Sequence, residues 1–225
     1  MKNEEELKQE VLNRLKWDDR VDESQIEVLV DKNIVTLKGC VSTYPEKILT
    51  EIETQLIPEV KEVVNQIEIK FPESYKKVED KEVEEAMFCL FDANSEINSN
   101  DINISVKNGK VLLQGKVNSY WKKDKIRHMV SEIKGVLSVL DQILVLPDKK
   151  VRDEELKGTL YTSMENSIHV DVSKVKIEVD DGIVKLSGIL PSMASYNAVV
   201  NIVKSTVGVI DIEDNLKWVL RYRTT

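Results

Sequence analysis

Three segments of the 225-residue chain repeat one pattern, and this repeat limits the possible folds more than any other feature. Each segment contains an alternating apolar run that ends on a glycine, and these glycines, Gly39, Gly115 and Gly188, are 76 and 73 residues apart. An apolar residue lies 32 positions before each glycine. The residue 20 positions after each glycine is in every case followed by a valine. Because the agreement holds at several offsets, we predict three copies of one folding unit.

The hydrophobic periodicity changes in the same order within every repeat. Apolar residues spaced three and four apart come first, and they predict an amphipathic helix. Two alternating runs follow, and the turn between them, such as Asn108-Gly109 or Asp181-Gly182, tolerates the positive φ of a tight hairpin. A second helical pattern and a third alternating run complete the repeat. The predicted order is therefore helix, strand, strand, helix, strand.

Local signals mark both ends of the second helix. A hydroxyl residue suited to cap the N-terminus precedes each one: Thr43, Ser119 and Ser192. In the first repeat Glu46 completes a capping box. Gly135 and Gly208 fit a left-handed C-cap in the second and third repeats, whereas the first repeat has Glu59 at this position. We expect the first repeat to close this helix end differently.

These patterns predict an α+β fold of three tandem α-β-β-α-β units, each a three-stranded mixed sheet with two helices on one face. A strand-helix-strand connection favours parallel strands, which makes the sheet mixed. Hydrophobic residues are 41% of the chain, enough for folded cores. Proline and charge near residues 71–74 and 146–150 indicate linkers, so we place the domains at 1–70, 71–147 and 148–225. A unit of about 65 residues is small but can fold alone.

Two motifs in the repeats resemble those of the BON domain, a module named for bacterial osmotically inducible protein Y and nodulation proteins. The first motif, v-x-L-x-G, occurs at Val35–Gly39, Val111–Gly115 and Val184–Gly188. The second, G-V-x-x-V, occurs at Gly135–Val139 and, with a final isoleucine, at Gly208–Ile212. The resemblance covers almost the whole chain as three copies.

The resemblance implies a non-catalytic module found mainly in bacterial envelope and stress proteins. Family members are proposed to contact phospholipid surfaces, and some act as chaperones or bind potassium when joined to a LysM domain, which has no counterpart here. We therefore expect a binding protein of the osmotic or envelope stress response that engages a phospholipid membrane surface or partner proteins. A sensor of a small ligand or an ion such as potassium is one alternative. A chaperone-like or oligomerising scaffold is another.

The sequence contains no recognisable catalytic, cofactor-binding or metal-binding motif. It has no nucleotide-binding glycine motif, no nucleophile elbow and no histidine pair at metal-ligand spacing. The two cysteines, Cys40 and Cys89, fall short of a zinc site. We interpret the recurring glycines as structural turn and cap residues: Gly39, Gly115, Gly188, Gly135 and Gly208. The prediction is a protein without enzyme activity or cofactor.

One basic and aromatic cluster in the second repeat is the candidate contact surface. Its residues are Lys116, Tyr120, Trp121, Lys122, Lys123, Lys125 and Arg127. Residues 116–134 carry a net charge of +4, against −8 for the chain. Cations beside interfacial aromatic residues suit an anionic headgroup layer, where each contributes about 1 kcal/mol. The alternative is an ordinary solvated helix with Trp121 packed against a neighbouring unit. At the C-terminus, Arg221-Tyr222-Arg223 with Trp218 is predicted to add to a membrane contact.

Charge and hydropathy also bear on partners and location. Nucleic acid is a poor candidate because the chain is acidic and has no groove-entering motif. No apolar run is long enough to span a bilayer, and the N-terminus lacks the apolar core of a signal peptide. The sequence as it stands predicts a cytoplasmic protein, or a periplasmic one if it is a trimmed piece of a longer chain. The oligomeric state is left open.

Overall fold

A computed structural model of the chain describes residues 3–71 and 78–218. The first repeat consists of α1 (Glu4–Lys16), β1 (Ile26–Asp31), β2 (Ile34–Val41), α2 (Tyr44–Gln55), β3 (Glu62–Asn65) and β4 (Glu68–Ile69). The second consists of α3 (Asp80–Asp92), β5 (Ile102–Lys107), β6 (Lys110–Val117), α4 (Tyr120–Ser131) and β7 (Ser138–Val145). The third consists of α5 (Asp153–Glu165), β8 (Lys176–Asp180), β9 (Ile183–Leu190), α6 (Met193–Ser205) and β10 (Asp211–Trp218). Arg221-Tyr222-Arg223 and most of the first predicted linker lie outside the described residues, whereas Trp218, predicted at the same membrane contact, is buried and not available for it.

Each repeat builds its own sheet. The strand orders are β1-β2-β3 with β4 also on β2, then β5-β6-β7, then β10-β9-β8. The hairpin strands are antiparallel in all three sheets, and β3 and β7 run parallel to β2 and β6. The predicted α+β fold of three α-β-β-α-β units with mixed sheets is confirmed.

The cores use equivalent positions in the three repeats. Four sets of buried residues share one offset from the repeat glycine: Leu7, Val83 and Leu156; Val11, Met87 and Leu160; Leu15, Phe91 and Met164; and Leu37, Leu113 and Leu186. Among the described residues, the core cluster around the first sheet and the apolar residues packed against it lie between residues 7 and 69. Each repeat therefore buries apolar residues from its own helices against its own sheet.

The chain divides into two compact units, one of residues 1–77 with 217–225 and one of residues 78–216. The second unit thus contains the second repeat and most of the third, and α4 packs against α6 within it. The last two described residues, Lys217 and Trp218, belong to the first unit. The domain boundaries 1–70, 71–147 and 148–225 stay a prediction.

The recurring glycines have two different roles. Gly39, Gly115 and Gly188 lie inside β2, β6 and β9 rather than in turns. Their φ angles are 116°, 142° and 144°, and an added Cβ would come within about 2.1 Å of a backbone carbonyl oxygen just before β1, β5 or β8. Gly135 and Gly208 have φ near 97° but follow helices already capped by Glu132 and Thr206, so they are turn residues and not C-caps.

The residues predicted to cap the second helices directly precede them: Thr43, Ser119 and Ser192. The first and third accept a backbone hydrogen bond at 3.2 Å, whereas Ser119 makes no side-chain cap bond. The predicted capping box at Glu46 is only half formed. Its carboxylate accepts from the amides of Ser42 and Asp22, both at 3.0 Å, because it lies between these two donors.

The first repeat differs from the other two at two points. Asn33, which replaces the turn glycine of the other repeats, donates from its side chain to the carbonyl of Glu59 at 2.8 Å and closes this helix end without a glycine. The third strand is split into β3 and β4, and in the gap the Lys47 ammonium donates to the carbonyl of Ile67 at 2.6 Å. The sequence predicted one continuous strand here, and the structure corrects this to two short strands on either side of Gln66 and Ile67.

Candidate binding surface of the second repeat

Helix α4 brings together six of the seven predicted contact residues, and Lys116 lies on β6. Tyr120 is not available for contact because it is buried, with 8% of its surface exposed. Burial also raises the pKa of Tyr120 to about 12. Tyr120 therefore belongs to the core of the second unit.

Lys123 occupies a structural position that recurs in every repeat. Its ammonium lies 3.9 Å from Asp141 of β7. The equivalent helix residue of the third repeat, Tyr196, donates to Asp214 of β10 at 2.7 Å. In the first repeat the equivalent strand residue, Asn65, donates to the carbonyl of the equivalent helix residue at 3.2 Å. This position ties the second helix to the third strand, so the charge of Lys123 is already matched.

Carboxylates also pair with Arg127 and Lys125. Arg127 lies 2.8 Å from Asp124, and Asp124 also accepts from Lys204 of α6 at 2.9 Å. Burial by itself would lower the pKa of Arg127, but attraction to Asp124 raises it overall. Lys125 forms an ion pair with Glu96. These cations are neutralised within the second unit.

Three of the predicted contact residues, two lysines and a tryptophan, remain available to bind an anionic partner. The ammonium groups of Lys122 and Lys125 lie 5.7 and 5.9 Å from the centroid of the half-buried Trp121 ring, within cation-π range. Lys122 and Lys116 form no ion pair with any residue in the described part of the chain. Lys116, Trp121 and Lys122 therefore remain the part of the predicted surface that can meet an anion.

An open groove of about 390 Å³ connects these residues to the neighbouring sheet. Lys116 and Lys122 line it together with Val117 and Leu146. Ile97 adds a further apolar contact, and the other walls are polar: Glu96, Asn98, Asp101, Asn118 and Asp148. The groove places apolar and cationic side chains side by side at the edge formed by β6 and the end of β7.

Sequence reasoning missed a second surface, the sheet face turned away from the helices, which we call the lysine-leucine face. Its apolar residues are Leu112, Leu140, Leu144 and Leu146. The last three are 58%, 63% and 56% exposed. Its cations are Lys107, Lys110 and Lys116. The described strands of this repeat place no carboxylate on this face, so it is both apolar and positively charged.

The corresponding faces of the other repeats have a different character. The third repeat carries ion pairs there, Lys185 with Glu213 at 3.2 Å and Lys176 with Glu178 at 2.6 Å. The first repeat is net acidic on this face, where four carboxylates outnumber Lys38 and Lys70: Glu27, Asp31, Glu62 and Glu68. The sequence did contain a sign of the lysine-leucine face. In the run from Leu140 to Leu146, exposed leucines alternate with residues that are buried in the core.

The remaining candidate residues give no further site. His128 and Cys89 are exposed and Cys40 is half-buried. Across residues 3–71 and 78–218, no three His, Cys, Asp or Glu side chains are grouped so that they could hold a metal ion. In the same residues, no helix is both long and apolar enough to cross a membrane.

The family is settled by comparison with protein-family models. The model of the BON domain matches residues 3–70, 80–147 and 152–219, which together cover most of the chain. The chain therefore belongs to the BON domain family and contains three copies of the domain.

A curated relative points to the same family. Osmotically-inducible protein Y of Escherichia coli (strain K12) is 29% identical over 127 residues, which is 54% of this chain and 63% of that protein. The match thus spans less than two thirds of the relative's length.

Two solved structures of CdsD, a structural protein of the type III secretion system of Chlamydia trachomatis, align with 94% and 97% of this chain. The alignments cover 91% and 100% of those chains, with 12% and 13% identity. Their TM-scores are 0.27 and 0.26, which support no conclusion about this protein.

Proposed function

We propose that this chain is a non-catalytic binding protein that engages anionic phospholipid membrane surfaces through its second repeat, in bacterial osmotic or envelope stress. Its BON domains and its similarity to Osmotically-inducible protein Y support the stress context. The observation that carries the proposal is the lysine-leucine face, in which exposed leucines lie beside lysines that form no ion pair with any described residue.

The physical argument combines two contributions. A leucine transferred fully from water to an apolar environment contributes roughly 1.5–3 kcal/mol, and each cation near an anionic surface about 1 kcal/mol. The net charge of −8 repels an anionic surface, so binding requires a local surface of opposite sign. Lys116 belongs to the lysine-leucine face and lines the groove with Lys122, so these two lysines and Trp121 extend the contact area. The expected binding weakens with salt because exposed charges are screened.

Vesicle co-sedimentation tests the electrostatic part. The wild-type chain should sediment with vesicles of phosphatidylcholine and phosphatidylglycerol, less at high salt, and not with phosphatidylcholine alone. Lys116→Glu with Lys122→Glu should abolish this binding. The control, Lys16→Glu with Lys157→Glu, makes the same change in net charge at two exposed lysines elsewhere and should bind normally. Equal loss in both variants, or wild-type binding that ignores lipid charge, would refute the proposal.

A charge-neutral variant tests the apolar part. Leu144→Glu with Leu146→Lys installs the residues that the first repeat has at these positions, Glu68 and Lys70, and leaves the net charge unchanged. We expect clearly weaker vesicle binding, because the leucines no longer enter the headgroup layer. Undiminished binding would show that the leucines make no contact with lipid.

A second candidate function is an oligomerising scaffold. The acidic sheet face of the first repeat, which includes Glu62 and Glu68, complements the lysine-leucine face on another molecule. Sedimentation velocity over a range of concentrations at low salt tests this candidate. Association that disappears in Lys107→Glu with Lys110→Glu would support it, and a monomer at every concentration would exclude it.

A further inference from the structure

The first unit contains a buried ion pair between its two helices. Arg14 of α1 donates from Nε to Glu53 Oε2 of α2 at 2.9 Å. The two side chains are only 2% and 6% exposed. A buried pair of this kind seldom stabilises a fold more than well-packed apolar residues do, because both charges lose their hydration. Its presence therefore needs another explanation.

The ion pair holds a tryptophan. The Trp218 ring lies over Arg14, with 3.8 Å between the guanidinium carbon and the ring centroid, and Trp218 is 6% exposed. Its backbone is also held, since its amide donates to the Leu56 carbonyl at 3.1 Å and its carbonyl accepts from Arg14 Nη1 at 3.4 Å. Arg14 and Leu56 therefore contact both the side chain and the main chain of Trp218.

Lys217, the residue before Trp218, is also bound by the first unit. The Lys217 ammonium donates to the carbonyl of Gln55, the last residue of α2, and to that of Val60 at 3.3 Å. A cation is favourable here because the C-terminal carbonyls of a helix carry partial negative charge. The end of α2 therefore accepts a lysine followed directly by a tryptophan.

The other repeats lack this arrangement. Their residues equivalent to Arg14 and Glu53 are Leu90 and Met129 in the second repeat, and Ser163 and Ile202 in the third. These positions therefore accept uncharged residues in this fold, and the ion pair is particular to the repeat that receives the tryptophan. Binding of the tryptophan segment explains why the ion pair is present, whereas a contribution to fold stability alone does not.

We infer that Arg14, Glu53 and the end of α2 form a binding site for an extended peptide with the sequence Lys-Trp, and that the chain's own Lys217-Trp218 occupies it. Two buried donors, Arg14 Nη2 and Trp218 Nε1, have no hydrogen-bond partner among the described residues. The contacts with the segment are made by Lys217 and Trp218 themselves, so a peptide that carries the same two residues can make them in trans.

The first test follows Trp218 by fluorescence in the full chain. Trp17→Phe with Trp121→Phe leaves Trp218 as the only tryptophan, and Trp17 is 75% exposed, so its loss leaves the core intact. Trp218 should emit at the short wavelengths of a shielded indole and resist acrylamide quenching. A solvated emission spectrum in this folded protein would overturn the inference.

A matched pair of variants tests recognition in this background. Arg14→Leu with Glu53→Met installs the residues of the second repeat, and it should shift the Trp218 emission to the red and raise its quenching. The control, Lys81→Leu with Glu85→Met, removes an exposed ion pair of α3 and should change neither. Unchanged Trp218 emission in a folded Arg14→Leu, Glu53→Met protein would contradict the inference.

Peptide exchange provides a test that does not depend on that variant folding. A labelled peptide of residues 211–218 should bind the full chain carrying Lys217→Ala with Trp218→Ala and bind the wild type far more weakly, because the wild-type site is filled. The same peptide with alanine in place of its tryptophan should bind neither protein. Equal binding of both peptides, or no binding to the folded double variant, would overturn the inference.

Discussion

At the scale of single residues, the glycine inside the second strand is the most constrained position. A Cβ at Gly39 would lie 2.0 Å from the Gln25 carbonyl oxygen, and the backbone has a φ of 116°. Gly39→Ala should therefore destabilise the protein by about 3 kcal/mol or more, as backbone clashes and forced φ angles do. Urea unfolding measures the change.

Gly158 provides the control for that substitution. It lies in α5 with no atom near an added Cβ, so Gly158→Ala should stabilise the chain by about 1 kcal/mol through its helix propensity. Equal effects of the two substitutions would contradict the role assigned to Gly39.

The buried hydroxyl of Tyr120 should make stability depend on pH in alkali. Burial raises its pKa from 10 to about 12 in the folded protein. Between pH 10 and 12 the unfolded chain loses this proton and the folded chain keeps it, so stability falls as pH rises, by about 1.4 kcal/mol per pH unit. Urea unfolding at a series of pH values measures the slope. Tyr120→Phe lacks the group and should have a flatter profile, and identical slopes would contradict the assignment.

At the scale of elements, a carboxylate at the start of each first helix holds the hairpin turn. Asp153 of α5 accepts from the amides of Asp181 and Gly182, both at 2.9 Å, and Asp80 of α3 does the same in the second repeat. Asp153→Ala should cost about 1–3 kcal/mol, because two turn donors lose a charged acceptor.

Hydrogen exchange locates this effect. The Gly182 amide should lose protection in Asp153→Ala, and Glu154→Ala, an exposed neighbour, should leave it unchanged. Protection that persists without the Asp153 carboxylate would show that the turn is held by other contacts.

At the scale of the whole molecule, the second unit is held in part by a contact between its two repeats. Asp124 of α4 pairs with Arg127 of the same helix and with Lys204 of α6. Asp124→Asn should lower stability by about 1 kcal/mol, a modest loss because the groups are partly exposed. Lys81→Gln breaks an exposed pair within one helix and should have no measurable effect in the same unfolding experiment. If both substitutions changed the free energy of unfolding equally, Asp124 would not stabilise the contact between the repeats.

Much of the fold could be predicted because its signals are local in the chain. The turn residues Asn108-Gly109 have φ of 50° and 71°, as a tight hairpin requires. The buried helix residues fall at the predicted spacing of three and four, as Leu7, Val11 and Leu15 show. The roles of Gly39 and Glu46 were harder to predict, because each depends on a backbone group from another element.

The candidate surface was only partly predictable. Sequence position identified the cations of α4, but Lys125 is paired with Glu96, 29 residues away, and Lys123 lies near Asp141. Hydrophobic alternation identified the buried side of β7, but it did not indicate that Leu140 and Leu144 on the other side are exposed. Their exposure could not be known until it was clear that no other described part of the second unit covers that face of the sheet.

The amino-acid sequence by itself determined the threefold repeat, the order of the helices and strands and the hairpin turns, because periodicity and turn chemistry act over a few neighbouring residues. Only the tertiary structure decided which charges are free and which are matched. Arg14 meets Trp218 across 204 positions of the chain, and no local pattern encodes such a contact. Packing brings distant residues together, and it is packing that determines the burial and the pairing of each side chain.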